Sequence, residues 1–307
     1  AQSMVNRVPE GSVVPFRWTI NPYRGCTHAC VYCFARPTHE YLGLDVGRDF
    51  ERRIVVKVNA VERTAADLST ARWAREHVAM GTNTDPYQLV ESRYRLTRGL
   101  IGVLAEHDTP FSILTKSPLI LRDEDVLGAA AERVDVATAL SIGTLDAEVA
   151  RITEPQAPSP QKRLEAVARL NDSGLACGVL IAPVIPGLTD NDPSIERLVR
   201  AALDAGATSV SAVLLHLRPG VREHYLAWLQ EQDAPLAEQI DNRYRSAYGP
   251  KQARRSLNER VRALVARHGG VRPTARRARS ARFSRPRPRP KAPAAEGRAS
   301  LTRRKIG

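Results

Sequence analysis

Three cysteines, Cys26, Cys30 and Cys33, stand close together near the start of the chain in a C-x3-C-x2-C arrangement, and Cys177 lies far away. Thiolates are donors for soft metals and for iron–sulfur clusters. A disulfide framework instead prefers even numbers and an oxidising compartment. Two metal chemistries compete for this spacing. A structural zinc site is closed by four ligands, usually as two C-x2–4-C or H-x3–5-H pairs. The sequence holds no second pair, and neither His28 nor Cys177 as a fourth ligand restores that spacing. Three thiolates suit a cubane [4Fe-4S] cluster in which one iron has no protein ligand and stays open to a small molecule. The spacing favours the cluster over zinc.

The residues around the cysteines narrow the reading. In the stretch Asn21 to Arg36, Tyr32 precedes the third cysteine and Phe34 follows it. This segment resembles the cluster motif of the radical S-adenosylmethionine (radical SAM) superfamily. The resemblance implies that the open iron is chelated by the amino and carboxylate groups of S-adenosylmethionine. An electron from a reductant such as flavodoxin or ferredoxin then gives methionine and a 5′-deoxyadenosyl radical, which abstracts hydrogen from a substrate. The cofactor carries such chemistry, and the protein supplies position, redox tuning and exclusion of water.

A site of this kind needs a frame, and the apolar pattern predicts one. Strand-length apolar runs occur at Arg17 to Asn21, His77 to Gly81, Phe111 to Thr115, Val134 to Leu140, Cys177 to Ala182 and Ser209 to Leu215. Between them, Leu96, Leu100, Val103 and Leu104, and later Ile195, Leu198, Val199, Ala202 and Leu203, recur at helical spacing. Strands alternating with helices make an α/β protein with a parallel sheet. Six such strands match the partial (β/α)6 barrel of the radical SAM type. Ile54 to Val58 is a further short strand, placed outside the six.

In parallel barrels, functional groups collect at the carboxyl ends of the strands. Here those ends carry Thr82 to Gln88, then Thr115-Lys116-Ser117, then Ser141, then Pro183 to Gly187, then His216 to Arg218. Together with Arg122-Asp123, Glu154-Pro155 and Arg163 to Ala166, they resemble the photolyase-like branch of the superfamily related to spore photoproduct lyase. The nearest resemblance is to an actinobacterial-type group of unsettled substrate. It implies that Thr84 and Asp85 lie near the methionyl amino end of the cofactor, that Lys116 and Ser141 bind its carboxylate and ribose, and that Tyr32 and Phe34 flank the adenine. It makes Arg163 a second carboxylate ligand, oriented by Glu154. His216 is the substrate-side candidate. One position departs from the lyase pattern: Thr82 stands where the lyase has a hydrogen-donating cysteine, and a hydroxyl O–H bond is too strong to take that part. Cys177, opening an apolar strand, reads as a buried structural thiol. His39 and Glu40 read as supports of the cluster loop or as a helix cap.

Charge separates the chain into two regions. The whole carries 46 basic and 33 acidic residues, a net charge of +13. Residues 271–307 hold thirteen of the basic groups and one acid, Glu296, so the preceding body is close to neutral. That stretch, with Arg285 to Pro290 alternating arginine and proline, reads as a disordered basic tail able to bind nucleic acid without sequence preference. The remaining divisions are an N-terminal extension over 1–16, the barrel over 17–230 and a C-terminal helical segment over 231–270. The longest apolar run, Val179 to Ile185, is far short of the ~20 residues that cross a bilayer, and no secretory signal precedes Phe16, which predicts a cytoplasmic protein away from membranes. The alternative function is a zinc- or cluster-stabilised protein that binds nucleic acid or senses redox state without turnover.

Overall fold

The computed structural model describes residues 1–12 and 14–271; the basic tail predicted beyond Val271 lies outside the described residues. Among the described residues nine strands occur in chain order: β1 (Asn6–Arg7), β2 (Trp18–Ile20), β3 (Tyr23–Arg24), β4 (Val55–Val56), β5 (Val78–Met80), β6 (Phe111–Thr115), β7 (Val136–Ser141), β8 (Cys177–Val184) and β9 (Val210–Leu214). Seven of them form one sheet in the order β1-β2-β5-β6-β7-β8-β9. From β2 to β9 every pairing is parallel, and the sheet order follows chain order, so each crossover returns the chain to the next position along the sheet. The series is open-ended, with β1 and β9 at its margins. This is the parallel α/β sheet that the alternation of apolar runs predicts, and its six parallel strands match the partial barrel that the resemblance implies.

The strands form where the apolar runs predict them because both faces are covered. Val78, Ala79 and Met80 are all buried, as befits a parallel strand packed on each side. The crossover helices carry their apolar residues on one stripe. In Asp192–Asp204, Ile195, Leu198, Val199 and Ala202 are buried, and the Asn191 side chain caps the first turn by accepting from the Ser194 N–H at 3.0 Å. Each large aliphatic side chain buried this way contributes roughly 1.5–3 kcal/mol. The helix Lys251–Arg267 packs on β9 and on Asp192–Asp204.

Three details differ from the sequence reading. The N-terminal extension joins the sheet: β1 pairs antiparallel with β2, Met4 is fully buried, and the Asp67 carboxylate accepts from the Met4 N–H at 2.7 Å. A two-residue strand shows no period in the sequence. β7 starts at Val136 because Val134 still caps the preceding helix, Glu124–Arg133. β8 continues through Pro183 to Val184. The strand expected near Ile54 is β4, which pairs only with β3 in a separate antiparallel ribbon.

Beyond β9, the helices Val221–Gln232 and Ala234–Arg243 fold back on each other, joined at Asp233, whose carboxylate caps the second by accepting from the Leu236 N–H at 2.9 Å. The boundary expected at 230 falls inside the first of them. Val221, Tyr225, Leu229, Leu236, Ile240 and Tyr244 share one apolar cluster with Cys30, Val31 and Tyr32 of the cysteine loop. No helix among the described residues is long and apolar enough to cross a membrane.

Candidate active site

The cysteine loop leaves β3 through Gly25, whose φ of 83° is a conformation that side chains resist. A Cβ there would stand 2.8 Å from the Phe50 carbonyl oxygen and 2.8 Å from His39 Cε1. Gly25→Ala should therefore destabilise the fold by about 1–3 kcal/mol, read as a lower urea midpoint; an unchanged midpoint would show that this loop yields freely.

Behind the loop lies Arg36, fully buried. Its guanidinium donates to the carbonyl oxygens of Cys30 (3.0 and 2.9 Å), Ala29 (3.3 Å), Val46 (2.9 Å) and Gly47 (3.1 Å), and pairs with Glu51 at 2.5 Å. Ala29 has a φ of 57°, so the loop reverses at a strained residue whose carbonyl Arg36 holds. His39 supports the same loop: its Nε2 meets the Arg53 carbonyl oxygen at 3.0 Å, and its ring stands edge-on to Phe50. Glu40 contributes its backbone carbonyl to the Gly43 N–H at 2.9 Å.

All three cysteine thiols of the loop are free. Burial pushes each thiol up, Cys30 to about 12, with the Glu154 carboxylate as its second cause. For Cys33 the rise is opposed by the Ala35 N–H and by the charges of Arg36, Lys116 and Arg218. Buried thiols with cations around them hold their protons until a metal displaces these. Among the described residues, no three or more His, Cys, Asp or Glu side chains gather as ligands of one metal ion.

The ends of the parallel strands close over this loop. After β5, the Thr84 hydroxyl donates to the Gly25 carbonyl at 2.6 Å, and Gln88 donates to the same oxygen at 3.0 Å while accepting from the Thr27 N–H at 3.0 Å. Asp85 accepts from the Tyr87 N–H (2.8 Å), the Thr115 hydroxyl (2.6 Å) and the Lys116 N–H (2.7 Å), and faces His28 Nδ1 at 3.4 Å. Burial alone would raise its pKa, but His28 and these hydrogen bonds outweigh it and hold the carboxyl below its ordinary range. Both side chains expected at the cofactor's amino end thus spend their oxygens on protein groups.

Glu154 is the hub of the remaining residues. It is 5% exposed and accepts from the Tyr32 hydroxyl, pairs with Lys116 Nζ at 3.1 Å and pairs with Arg163. Burial opposes its ionisation, yet the Lys116 and Arg163 cations hold it down to about 2. Lys116 also donates to the Ser141 hydroxyl at 2.8 Å and lies 5.7 Å from the Tyr32 ring centroid. Arg163 donates to the carbonyl oxygens of Pro158 (2.8 Å) and Ser141 (3.0 Å). Tyr32, Lys116, Ser141, Glu154 and Arg163 therefore form one connected cluster, beside a recess lined by Tyr32, Gly143, Glu154, Pro183, Ile185 and Thr189.

Phe34 stands apart from that cluster, exposed and facing His216, with ring centroids 6.4 Å apart. Thr82 exchanges hydrogen bonds with Asn21, whose Nδ2 reaches its hydroxyl at 3.1 Å. Cys177 is fully buried in β8, and burial pushes its thiol up to about 12. The sequence reading gave no part to Arg36, to Asp85 as the partner of His28, or to Tyr248 beside His216. For Arg36 the one available signal was its place directly after the motif.

A parallel α/β sheet whose strand ends are bonded to a loop carrying three cysteines defines a class of barrel enzymes with their chemistry at one mouth. Residues 20–200 match the radical SAM superfamily, and the chain belongs to it as a radical SAM enzyme. It is similar to an uncharacterized protein of Mycobacterium tuberculosis, 44% identical over 268 residues, which span 87% of this chain and 79% of that one. An uncharacterized protein of Methanocaldococcus jannaschii is 30% identical over 174 residues, or 57% of this chain and 62% of the relative. Among solved structures, a spore photoproduct lyase variant with bound AdoMet and dinucleoside spore photoproduct superimposes with a TM-score of 0.64 at 16% identity, over 85% of this chain and 76% of that one. The last likeness shows the shared fold.

Proposed function

We propose that the protein holds a [4Fe-4S] cluster on Cys26, Cys30 and Cys33, binds S-adenosylmethionine at its open iron and cleaves it reductively to act on a substrate at the barrel mouth. The observation that carries this reading is the single buried loop presenting three free thiols, with Arg36, Lys116 and Arg218 acting on Cys33. Cations of this kind offset the negative charge that three thiolates bring into a buried site. When bound and reduced, the cluster and its cofactor supply a 5′-deoxyadenosyl radical for hydrogen abstraction.

The chain's own residues divide into two sets. Thr84, Gln88, Asp85 and Arg36 hold the loop. Lys116, Ser141 and Arg163 offer donors for the cofactor's carboxylate and ribose, and Tyr32 and Phe34 offer rings beside its adenine. Glu154 pairs with both Lys116 and Arg163 and so fixes their positions in the meantime. A nucleic-acid lesion is the first substrate class to try, given the dinucleoside ligand of the structural neighbour. Thr82 lacks the thiol of the lyase pattern, so a different hydrogen donor, or none, closes the reaction. A flavodoxin or ferredoxin is the fitting reductant, and the basic residues after 271 are the fitting contact for nucleic acid.

The test is direct. Anaerobically reconstituted full-length protein given dithionite and S-adenosylmethionine should release 5′-deoxyadenosine. Lys116→Ala should bind S-adenosylhomocysteine roughly 10–100-fold more weakly at unchanged iron content, the worth of one charge-assisted hydrogen bond. Absence of 5′-deoxyadenosine from fully reconstituted protein would overturn the reading, and unchanged binding by Lys116→Ala would overturn the cofactor assignment.

A further inference from the structure

A row of rings and cations stands at the barrel mouth, and apart from Phe34 none of it serves the cofactor. Beyond β9 the backbone of His216 bridges antiparallel to Tyr248, and the Leu217 N–H donates to the Ala247 carbonyl at 2.8 Å. These contacts bring the segment before the Lys251–Arg267 helix onto the end of the last parallel strand. The His216 and Tyr248 rings stack, with centroids 4.4 Å apart and planes inclined by 19°. His216 also faces Phe34, the residue after Cys33. Arg254 lies over the Tyr248 ring, 5.2 Å from its centroid. The row therefore runs Phe34, His216, Tyr248, Arg254, from the cysteine loop outward.

Two features of the row are costly unless something occupies it. Phe34 and Tyr248 leave 42% and 43% of their surfaces exposed, although the neighbouring rings are paired. Arg218, two residues past His216, and Arg254 each carry a buried Nε–H that has no hydrogen-bond partner among the described residues. A buried donor left unmade costs about 1–3 kcal/mol. The Arg218 charge acts on His216, two residues before it. Burial, and then Arg218, lowers the His216 pKa, which keeps that ring neutral for stacking. An exposed ring face is covered by another flat ring, worth about 1–3 kcal/mol for a base on an aromatic side chain. A guanidinium with free donors is satisfied by a phosphate or carboxylate, whose geometry it matches.

The geometry points to a substrate subsite, formed by His216, Tyr248, Arg218 and Arg254, that takes a planar ring bearing an oxyanion. That chemistry is shared by a nucleotide and by an aryl phosphate. The assignment rests on the radical SAM reading for its place beside the cofactor, but its test needs no turnover.

The experiment is calorimetric titration of full-length reconstituted protein, kept anaerobic and saturated with S-adenosylhomocysteine. Four probes are compared: thymidine 5′-phosphate, phenyl phosphate, thymidine and inorganic phosphate. At least one of the two ring-phosphate probes should bind about tenfold or more tightly than thymidine or phosphate, and the tighter of the two identifies the source of the ring. Tyr248→Ala and Arg218→Gln should each weaken it by about tenfold at unchanged iron content, while Tyr248→Phe should retain it. The subsite is wrong if neither ring-phosphate probe outbinds its parts, or if both variants bind as the parent does. It is equally wrong if S-adenosylhomocysteine displaces the probes, because the row would then be the cofactor's adenine site. Binding as expected in protein that releases no 5′-deoxyadenosine would leave the subsite standing and remove the function proposed around it.

Discussion

Protein in which Cys26, Cys30 or Cys33 is replaced by alanine should leave anaerobic reconstitution without a four-iron cluster, whereas Cys177→Ala should take up iron and sulfide like the parent. A cluster held as proposed above would take one thiolate per iron from the loop, so losing any one would leave that iron without its protein ligand as well. The fourth thiol is in the wrong place to compensate, since it is fully buried in β8 with its Sγ 3.7 Å from the Gly178 carbonyl oxygen. Iron and sulfide per chain read the outcome, with the electron paramagnetic resonance spectrum of the reduced protein as a second measure. Four irons per chain in Cys30→Ala would overturn the ligand assignment. One tightly held zinc in the parent would turn the site into a closed structural one.

Glu154→Gln should be the most damaging single change outside the cysteines. It leaves Lys116 and the almost fully buried Arg163 without their shared carboxylate, and breaking a buried ion pair costs about 3–5 kcal/mol. The effect carries a pH signature. Glu154 has a folded pKa of about 2 against an ordinary 4.5, so its contribution is fully present above the ordinary value and is lost as the pH falls toward the folded one. Urea denaturation of parent and variant should therefore differ most near neutral pH and converge as acid protonates the parent's carboxyl. Equal midpoints near neutral pH would show that the cluster around Glu154 does not hold the fold.

The barrel was readable because each parallel strand is a short apolar run and each crossover helix repeats its apolar residues at three and four, signals that depend only on near neighbours in the chain. The helix Asp192–Asp204 buries four of the residues its spacing marked, Ile195, Leu198, Val199 and Ala202. The site was legible by residue type more than by partner. Thr84, Asp85, Lys116, Ser141 and Arg163 all stand where strands end or crossovers begin, yet the bonds of Thr84 and Asp85 run to the cysteine loop, to His28 and to the β6 end. Such pairings join segments far apart in sequence, and no local pattern encodes them. Arg36 was opaque for a related reason: an arginine buried against five carbonyl contacts looks the same in sequence as one in water. β1 was missed because two residues carry no period, and Tyr248 because its ring acquires meaning only through a single bridge to His216.

The anchors of the cysteine loop also set an order of events at the ribosome. The loop emerges early, but Gln88 must arrive to hold Gly25 and Thr27, Thr153 to accept from the Val31 N–H at 3.0 Å, and Gln156 to reach the His28 carbonyl at 3.2 Å. The apolar cover of Cys30 and Tyr32 comes later still, from the helices between Val221 and Arg243. At a synthesis rate of about 5–20 residues per second, roughly 6–25 seconds separate the third cysteine from its last backbone anchor. Through that interval the nascent chain carries three thiols without the full set of anchors around them. A cluster bound as proposed above would either wait for the second half of the barrel or be handed over while the chain is guarded, and a chain released short of residue 153 would be a reactive thiol peptide rather than an unfinished enzyme.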